Sequence, residues 1–151
     1  MTASPAGGAG HWDERYRTVG STSVSWFQER PTLSLRLLAE AGVGPGSRVV
    51  DVGGGASRLV DELVALGARV TVVDLSAAAL AEARERVPGP SVTWVVADVR
   101  TWEPEGTVDA WHDRAAYHFL TDEADRRHYW DVVRAHVDPG GHVVIATGKA
   151  A

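Results

Sequence analysis

The stretch Arg48-Val-Val-Asp-Val-Gly-Gly-Gly-Ala-Ser57 decides the fold, together with a second apolar stretch that ends in Val72-Val-Asp74-Leu-Ser76. The first pattern indicates a buried strand, a glycine turn and the start of a helix, and the second indicates a strand with an acid at its tip. Glycine lets a backbone approach a ligand without a Cβ in the way, and a helix N-terminus presents unpaired N–H groups. An acid about twenty residues beyond such a turn is placed to accept hydrogen bonds from a ribose. The two stretches therefore predict a site for a nucleoside-containing cofactor.

The spacing of the glycines separates two classes of cofactor. A dinucleotide fingerprint has the form G-x-G-x-x-G, and its third glycine allows the helix to pack closely on the strand. Gly53 and Gly55 fill the first two positions, but the third falls on the bulky Arg58. The chain also has no Tyr-x-x-x-Lys pair. Both observations count against a nicotinamide-dependent oxidoreductase.

The run Asp51-x-Gly53-x-Gly55-x-Ser57 resembles motif I of class I S-adenosylmethionine (SAM) methyltransferases, usually E/D-x-G-x-G-x-G, from which Ser57 departs. The resemblance implies that the glycine turn packs against the amino-acid end of SAM and that Asp74 holds both ribose hydroxyls. The cofactor-binding residues predicted in these two stretches are Asp51, Gly53, Gly54, Gly55, Asp74 and Leu75.

Alternating strands and helices predict an α/β fold of the Rossmann-like, doubly wound class with a parallel sheet. The predicted strands are Arg48–Gly53, Arg69–Asp74, Ser91–Ala97, Val108–His112 and His142–Thr147. The predicted helices are one that begins at Pro31 with an apolar face of Leu33, Leu35, Leu37, Leu38 and Ala41, then Ser57–Leu66, Ala77–Val87 and Asp122–Val137, with a turn at Asp138-Pro-Gly-Gly141. The resemblance implies the strand order 3-2-1-4-5, truncated of strands 6 and 7.

Composition narrows the class of protein. A chain of 151 residues fits one domain, here 11–151 after a flexible lead-in of residues 1–10 that has no signal-peptide features. A net charge of −5 argues against nucleic-acid and membrane surfaces. Zero cysteines exclude disulfides and a cysteine nucleophile, which favours a cytoplasmic protein. The histidines have no metal-ligand spacing, so we expect no metal site.

Asp98 and its neighbour Val99 follow the third predicted strand. The resemblance implies that Asp98 binds the exocyclic amine of adenine. The alternative is that Asp98 caps a helix at the end of the strand, a place where aspartate is favoured. The position at the carboxyl edge of the sheet, beside Asp51 and Asp74, favours the cofactor interpretation, since open α/β sheets bind ligands at that edge.

The segment Val108-Asp-Ala-Trp-His-Asp-Arg-Ala-Ala-Tyr-His-Phe-Leu120 resembles strand 4 and the following loop of a bacterial methyltransferase subgroup with a W-H-D-R-x-x-x-H-F-L signature. In that fold the loop faces the transferring methyl group. The resemblance makes four residues candidates for orienting or deprotonating a substrate: His112, Asp113, Arg114 and His118. The alternative is a buried Asp113–Arg114 hydrogen-bond network that shapes the loop.

The N-terminal aromatic residues Trp12, Tyr16, Trp26 and Phe27 have two interpretations. They form either a lid over SAM, in which the face of Trp26 attracts the sulfonium cation, or a hydrophobic patch that docks the first helix. We favour the lid, because these aromatics flank a polar stretch.

The sequence as a whole predicts a SAM-dependent methyltransferase acting on a small molecule or a protein side chain. The alternative is a SAM-binding module without turnover, or a partner subunit. Without further strands, the fifth strand would be an open edge, so we also expect a homodimer through it.

Overall fold

A computed structural model describes residues 32–145 except 56 and 115, and at residue 118 it describes the backbone alone. Trp12, Tyr16, Trp26 and Phe27, and with them the lid prediction, lie outside the described residues. The helices are α1 (Thr32–Glu40), α2 (Leu59–Ala65), α3 (Ala77–Arg86) and α4 (Glu123–His136), with a short 3-10 helix at Tyr117–Phe119. The strands are β1 (Arg48–Val52), β2 (Arg69–Asp74), β3 (Val92–Val96), β4 (Val108–Asp113) and β5 (Val137–Ile145).

The five strands form one parallel sheet in the order β3-β2-β1-β4-β5, which confirms the predicted class and order. β1 lies at the centre, and Asp51 is in register with Val72 of β2 and His112 of β4. Because parallel strands end at the same side of a sheet, the segments that follow β1, β2 and β4 meet there.

Side chains of the central strand alternate between two hydrophobic cores, one on each face of the sheet. Val49 packs into the core beneath the first three helices, whereas Val50 and Val52 pack into the core beneath α4. The second core contains Trp111 and Tyr129, each 1% exposed. The ring of Trp111 contacts Trp102, and the ring of Tyr129 contacts Tyr117 and Trp130. Packing on both faces of the sheet therefore holds the ends of the strands in position.

The predicted apolar face of α1 is wrong in part. Leu33 and Leu37 are 56% and 39% exposed, whereas Leu38 is fully buried and Ser34 is 8% exposed. Ser34 and Leu38 are four residues apart and share one helix face, and that face packs on the sheet. Ser34 occupies it because its hydroxyl has a buried hydrogen-bond partner, described below.

β5 also differs from prediction. The strand begins at Val137, directly after α4, and the predicted turn Asp138–Gly141 lies inside it as an irregularity. Val108 pairs with Val137 and Ala110 pairs with His142, so the extra residues bulge out opposite Asp109. A Cβ on Gly141 would lie 2.5 Å from the Asp109 carbonyl oxygen, so this close approach requires glycine.

Candidate functional site

The glycine turn after β1 is closely packed against two carboxylates. Gly53 has φ +74°, a left-handed conformation that suits glycine, and its N–H donates to the Val73 carbonyl at 2.7 Å. A Cβ on Gly54 would overlap with the Asp51 carboxylate. A Cβ on Gly55 would lie 3.0 Å from Asp74 Oδ2. The protein's own packing therefore requires glycine at these positions of the turn.

Asp74 lies at the end of β2 and is fixed in position by backbone groups. Its Oδ2 accepts from Gly55 N–H at 3.0 Å, and its Oδ1 accepts from Ser76 N–H at 2.8 Å. The Ser76 hydroxyl in turn caps α3 by accepting from Ala79 N–H at 3.1 Å. Leu75, between them, is half-buried. The acid at the tip of β2 and the glycine turn after β1 thus form one rigid unit.

Asp51 is the acid of motif I, and it belongs to a buried hydrogen-bonded chain. Its Oδ1 lies 2.9 Å from His112 Nδ1, and His112 Nε2 lies 2.8 Å from the Ser34 hydroxyl. Asp51 and His112 are each 1% exposed. An ionised Asp51 makes Nδ1 the protonated ring nitrogen, so that Nε2 accepts from Ser34. The chain links α1, β4 and β1, and it fixes one oxygen of the Asp51 carboxylate.

Four buried polar atoms have no hydrogen-bond partner in the described part of the chain. They are Asp51 Oδ2, Arg58 Nε, Asp113 Oδ1 and Arg114 Nη1. All four belong to residues at, or just beyond, the carboxyl ends of β1 and β4. A buried charged group without a partner is costly, and such groups are concentrated at ligand sites. These atoms identify this end of the sheet as the candidate site.

Asp113 ends β4 and is fully buried. The Tyr129 hydroxyl of α4 donates to its Oδ2, and Tyr117 N–H donates to the same oxygen at 2.9 Å. Trp111 Nε1–H donates to the Tyr129 oxygen at 2.8 Å. Burial raises the pKa of Asp113 to about 6, although these hydrogen bonds and the nearby His112 oppose the rise. Burial and the Asp113 charge also raise the pKa of Tyr129.

Arg114 follows β4 and is 8% exposed. Burial lowers the pKa of its guanidinium, and the nearby Asp51 charge opposes that effect. The predicted Asp113–Arg114 hydrogen bond is not found among the described residues; Asp113 bonds to Tyr129 and Tyr117 instead. A buried network does shape the loop, but the partners of Asp113 in it are Tyr129 of α4 and the backbone of Tyr117.

Asp98 lies beyond β3 and forms an ion pair with Arg100, with a closest contact of 2.6 Å. It also accepts from Arg100 N–H at 2.9 Å, while its carbonyl accepts from Thr101 and Trp102 N–H. Burial acts to raise the pKa of Asp98, but the hydrogen bonds and charge of Arg100 lower it below its ordinary value. The side chain stabilises a turn and no helix begins there, so the predicted helix cap is wrong, and the adenine contact stays a prediction. Val99 is half-buried against the second core.

The structure places some of the predicted site residues together at one end of the sheet, and it does not place the others there. Asp51, Gly53–Gly55, Asp74 and Arg114 lie at one end of the sheet, whereas His112 faces Ser34 from within β4. His118 is described by its backbone alone, in the 3-10 helix. Sequence reasoning did not identify Ser34 or Tyr129. A serine inside a leucine-rich helix was an available signal for Ser34; Tyr129 carried none.

Two findings concern residues 32–145 without residues 56 and 115. No group of three or more histidine, aspartate or glutamate side chains could hold a metal ion there. None of the helices there has the length and apolar character needed to cross a membrane.

Comparisons with known proteins give a consistent result. A family profile described as a methyltransferase domain matches residues 49–141. Nodulation protein S of Rhizobium tropici is 28% identical over 82% of this chain and 52% of its own length. Trans-aconitate 2-methyltransferase of Azoarcus sp. (strain BH72) is 35% identical over 81% of this chain and 47% of its own length. The solved structure of a DhpI–SAM–HEP complex superposes with a TM-score of 0.70 at 25% identity, covering 95% of this chain and 67% of that one. The chain thus spans about half the length of these two curated relatives.

Proposed function

Because this chain belongs to the methyltransferase-domain family, we propose that it binds SAM and transfers its methyl group to a small molecule or a protein side chain. The observation that carries the proposal is the position of Asp74, whose carboxylate accepts from Gly55 N–H at 3.0 Å. An acid held against a glycine turn at the carboxyl end of neighbouring strands suits a ribose diol.

The residues at this end of the sheet fit the cofactor. Gly54 and Gly55 leave no room for a Cβ beside the two carboxylates, so a ligand over the turn would meet backbone atoms. We assign Asp74 and Leu75 to the ribose, the glycine turn to the amino-acid end, and Asp98 with Val99 to the adenine. Solved structures that resemble this chain contain SAM, which supports the assignment.

SAM supplies an activated methyl group, because its sulfonium is already a leaving group. The protein then has to align the acceptor with the methyl–sulfur bond and exclude water, and no metal is needed for this. We propose Trp26 as part of a covering lid and His118 as a group that contacts the acceptor. Asp113 holds the segment after β4, which lies next to the glycine turn, by accepting from Tyr117 N–H.

A second candidate, a SAM-binding module without turnover, is favoured by one observation. His112 and Asp113, two of the predicted catalytic residues, are 1% and 0% exposed, and both are engaged in hydrogen bonds. Neither can touch an acceptor in this conformation. Isothermal titration with SAM, S-adenosylhomocysteine and NAD separates both candidates from an oxidoreductase, and a methyl-transfer assay with radiolabelled SAM separates the two from each other.

The variant Asp74→Asn tests the cofactor assignment. It retains one oxygen that can accept from backbone N–H groups, but it loses the charge that would bind the ribose hydroxyls. Loss of charged hydrogen bonds costs about 1.5–3 kcal/mol, so we expect SAM affinity to fall about ten- to a hundredfold. Calorimetry measures this directly.

Asp109→Asn is the matched control. Asp109 also accepts a backbone N–H, from Arg48 at 2.7 Å, but it lies at the opposite ends of the strands. We expect its SAM affinity to equal that of the wild type. Equal affinity in a folded Asp74→Asn variant would remove the ribose assignment.

We propose, in addition, a homodimer through the outer edge of β5 and a cytoplasmic location. β5 pairs with β4 on one side, and Val143 on it is 38% exposed. An apolar strand edge favours pairing with another chain. Sedimentation equilibrium at rising concentration measures association, and a monomer at high micromolar concentration contradicts it. The lack of cysteines supports the location.

A further inference from the structure

The connection from β3 to β4 is unusual for a parallel sheet, because residues 97–107 contain no helix. β3 lies at one edge of the five-stranded sheet, so the connection has to pass β2 and β1 before it enters β4. Parallel strands are usually joined by an α-helix that packs on the sheet. Here Ala97, Val99 and Trp102 pack on the second core instead. The part of the connection after Trp102 has to be held by other contacts.

His136 supplies such a contact. It is the last residue of α4, and its imidazole bonds at both ring nitrogens. Nδ1 lies 2.8 Å from the Gly106 carbonyl oxygen, and Nε2 lies 2.9 Å from Glu103 Oε1. The ring is mostly buried, with 18% of the side chain exposed, whereas the Glu103 side chain is 53% exposed. One side chain of α4 thus contacts the connection at two points.

The two partners determine the charge of the His136 ring. A carbonyl oxygen and an ionised carboxylate only accept hydrogen bonds, so both ring nitrogens have to donate. A neutral imidazole has one N–H group, whereas the imidazolium has two. A cation is also favoured at the C-terminus of a helix, where His136 lies. The observed hydrogen bonds therefore require protonated His136.

Several other charged groups lie on the elements around His136: Arg134 and Asp131 on α4, Asp138 on β5, Glu105 on the connection, and Arg48 and Asp109 near the starts of β1 and β4. Arg134 pairs with Asp131, and Arg48 pairs with Asp109. Asp138 accepts from a backbone N–H group within β5. The charge that acts on His136 is that of Glu103.

The hydrogen bond to Glu103 raises the pKa of His136 above its ordinary value of 6.5. Burial opposes the rise, whereas the Gly106 carbonyl and the charge of Glu103 add to it. A raised folded pKa contributes stability that is fully present below the unfolded pKa and is lost as the pH rises through the folded pKa. The contacts of His136 are therefore strongest in acid and weaken at a pH above 6.5.

We propose that Glu103, Gly106 and His136, the His136 cluster, form a pH-sensitive switch for the end of the β3–β4 connection. Protonated His136 bonds to both partners and holds residues 103–106 against α4. Loss of either ring proton leaves a nitrogen lone pair facing an acceptor oxygen, so one bond breaks and these residues become mobile. The cluster lies just before β4 begins, away from the carboxyl ends of the strands, and the switch does not depend on the proposed function.

Nuclear magnetic resonance on the full chain tests the switch. Nitrogen-15 spectra of the histidine rings give the titration midpoint of His136, which we expect above 6.5. The backbone order parameters of Glu103, Glu105 and Gly106 should be about 0.85 below that midpoint and fall toward about 0.6 above it. The ring and the backbone should change at one midpoint, because one proton controls both.

Three variants identify the groups responsible. Glu103→Gln retains an acceptor but loses its charge, so the midpoint of His136 and the change in order parameters should both move to lower pH. Glu105→Gln is the matched control, since Glu105 is also exposed and lies two residues further along the connection. It should retain the wild-type midpoint. His136→Gln gains no proton in this range, so its order parameters should be low at every pH.

Two results on the wild type would overturn the proposal: a His136 midpoint at or below 6.5, or order parameters that stay constant across the midpoint. A His136→Gln variant that retains the pH-dependent change would show that another group controls the connection. Equal shifts in Glu103→Gln and Glu105→Gln would also contradict it, since the overall charge of the connection would then control the ring. If His136→Gln does not fold, Glu103→Gln decides, and an unshifted change in that variant overturns the switch.

Discussion

The two ends of the sheet use the same residue types in opposite ways. At the amino ends of β1 and β4, Arg48 and Asp109 form an ion pair of 3.2 Å, and their side chains are 47% and 40% exposed. At the carboxyl ends, Asp51 and Arg114 are buried, and each leaves an atom unpaired. A carboxylate and a guanidinium thus pair with each other at one end of the sheet, whereas at the other end each has an atom without a hydrogen-bond partner.

The difference in burial changes what the same two charged groups cost the folded protein. An exposed ion pair contributes about 0–1 kcal/mol, because water competes for both partners. A buried charge that lacks a partner costs several times more. Pairing Asp51 with Arg114 would have reduced that cost, yet Asp51 Oδ2 and Arg114 Nη1 have no hydrogen-bond partner among the described residues. Substitutions at the two ends should therefore differ in size and in sign.

The largest effect is expected from Gly54→Ala. Its Cβ would overlap with the Asp51 carboxylate and displace it from His112. Forcing extra volume into a packed site costs about 1–3 kcal/mol of unfolding free energy. We also expect SAM affinity to fall by about a hundredfold or more, since the turn and Asp51 move together. Urea denaturation and calorimetry measure the two effects.

Gly106→Ala is the matched control, because a Cβ at Gly106 has no atom within 4 Å and its φ lies outside the left-handed region. It should leave both the unfolding free energy and SAM affinity close to the wild-type values. A Gly54→Ala variant that is equally unaffected would show that the turn is not closely packed on Asp51.

An effect on stability alone, dependent on pH, is expected from Asp113→Asn. The folded pKa of Asp113 is about 6, above the ordinary value of 3.8, so the folded state binds this proton more tightly than the unfolded state does. The wild type should therefore lose stability as the pH rises from about 4 to about 6, by roughly 3 kcal/mol at most. The asparagine variant does not titrate, so its unfolding free energy should not show this loss.

Asp109→Asn should show the opposite sign and the smallest effect. Hydrogen bonds from the Arg48 backbone and side chain lower the pKa of Asp109. A lowered folded pKa contributes stability above the unfolded value, and this is lost as the pH falls through the folded pKa. The wild type should thus be the more stable protein at neutral pH, and the difference should vanish in acid. Denaturation across the pH range measures the unfolding free energies of the Asp113→Asn and Asp109→Asn variants relative to the wild type. If both differences changed with pH in the same direction, the expected opposite behaviour of Asp113 and Asp109 would be wrong.

Several local features of the fold could be predicted from the sequence. β2 has the predicted bounds, and α4 lies within the predicted helix Asp122–Val137, because such elements depend on neighbouring residues. The order of the strands followed from the family resemblance. Local patterns of this kind are encoded within a few residues, so sequence reasoning can recover them.

The contacts that complete the site could not be predicted in this way. Ser34 lies in a leucine-rich helix, and its hydroxyl is buried because it bonds to His112, 78 residues away. The Tyr129–Asp113 hydrogen bond depends on how α4 rotates against the sheet. The bulge at Asp138–Gly141 was predicted as a turn, since its residues do favour turns, but strand pairing resumes on both sides of it.

The Ser34–His112–Asp51 chain has a consequence for the order of folding. The pairing of β1 with β2 joins residues close in sequence, such as Arg48 and Arg69. The chain, in contrast, joins residues separated by 61 and 78 positions. Closing longer loops costs more entropy, so we expect β1–β3 to assemble first and the buried histidine to be enclosed late. During synthesis, Asp74 at the end of β2 would then be in place before the Asp51 carboxylate beneath the glycine turn receives its histidine.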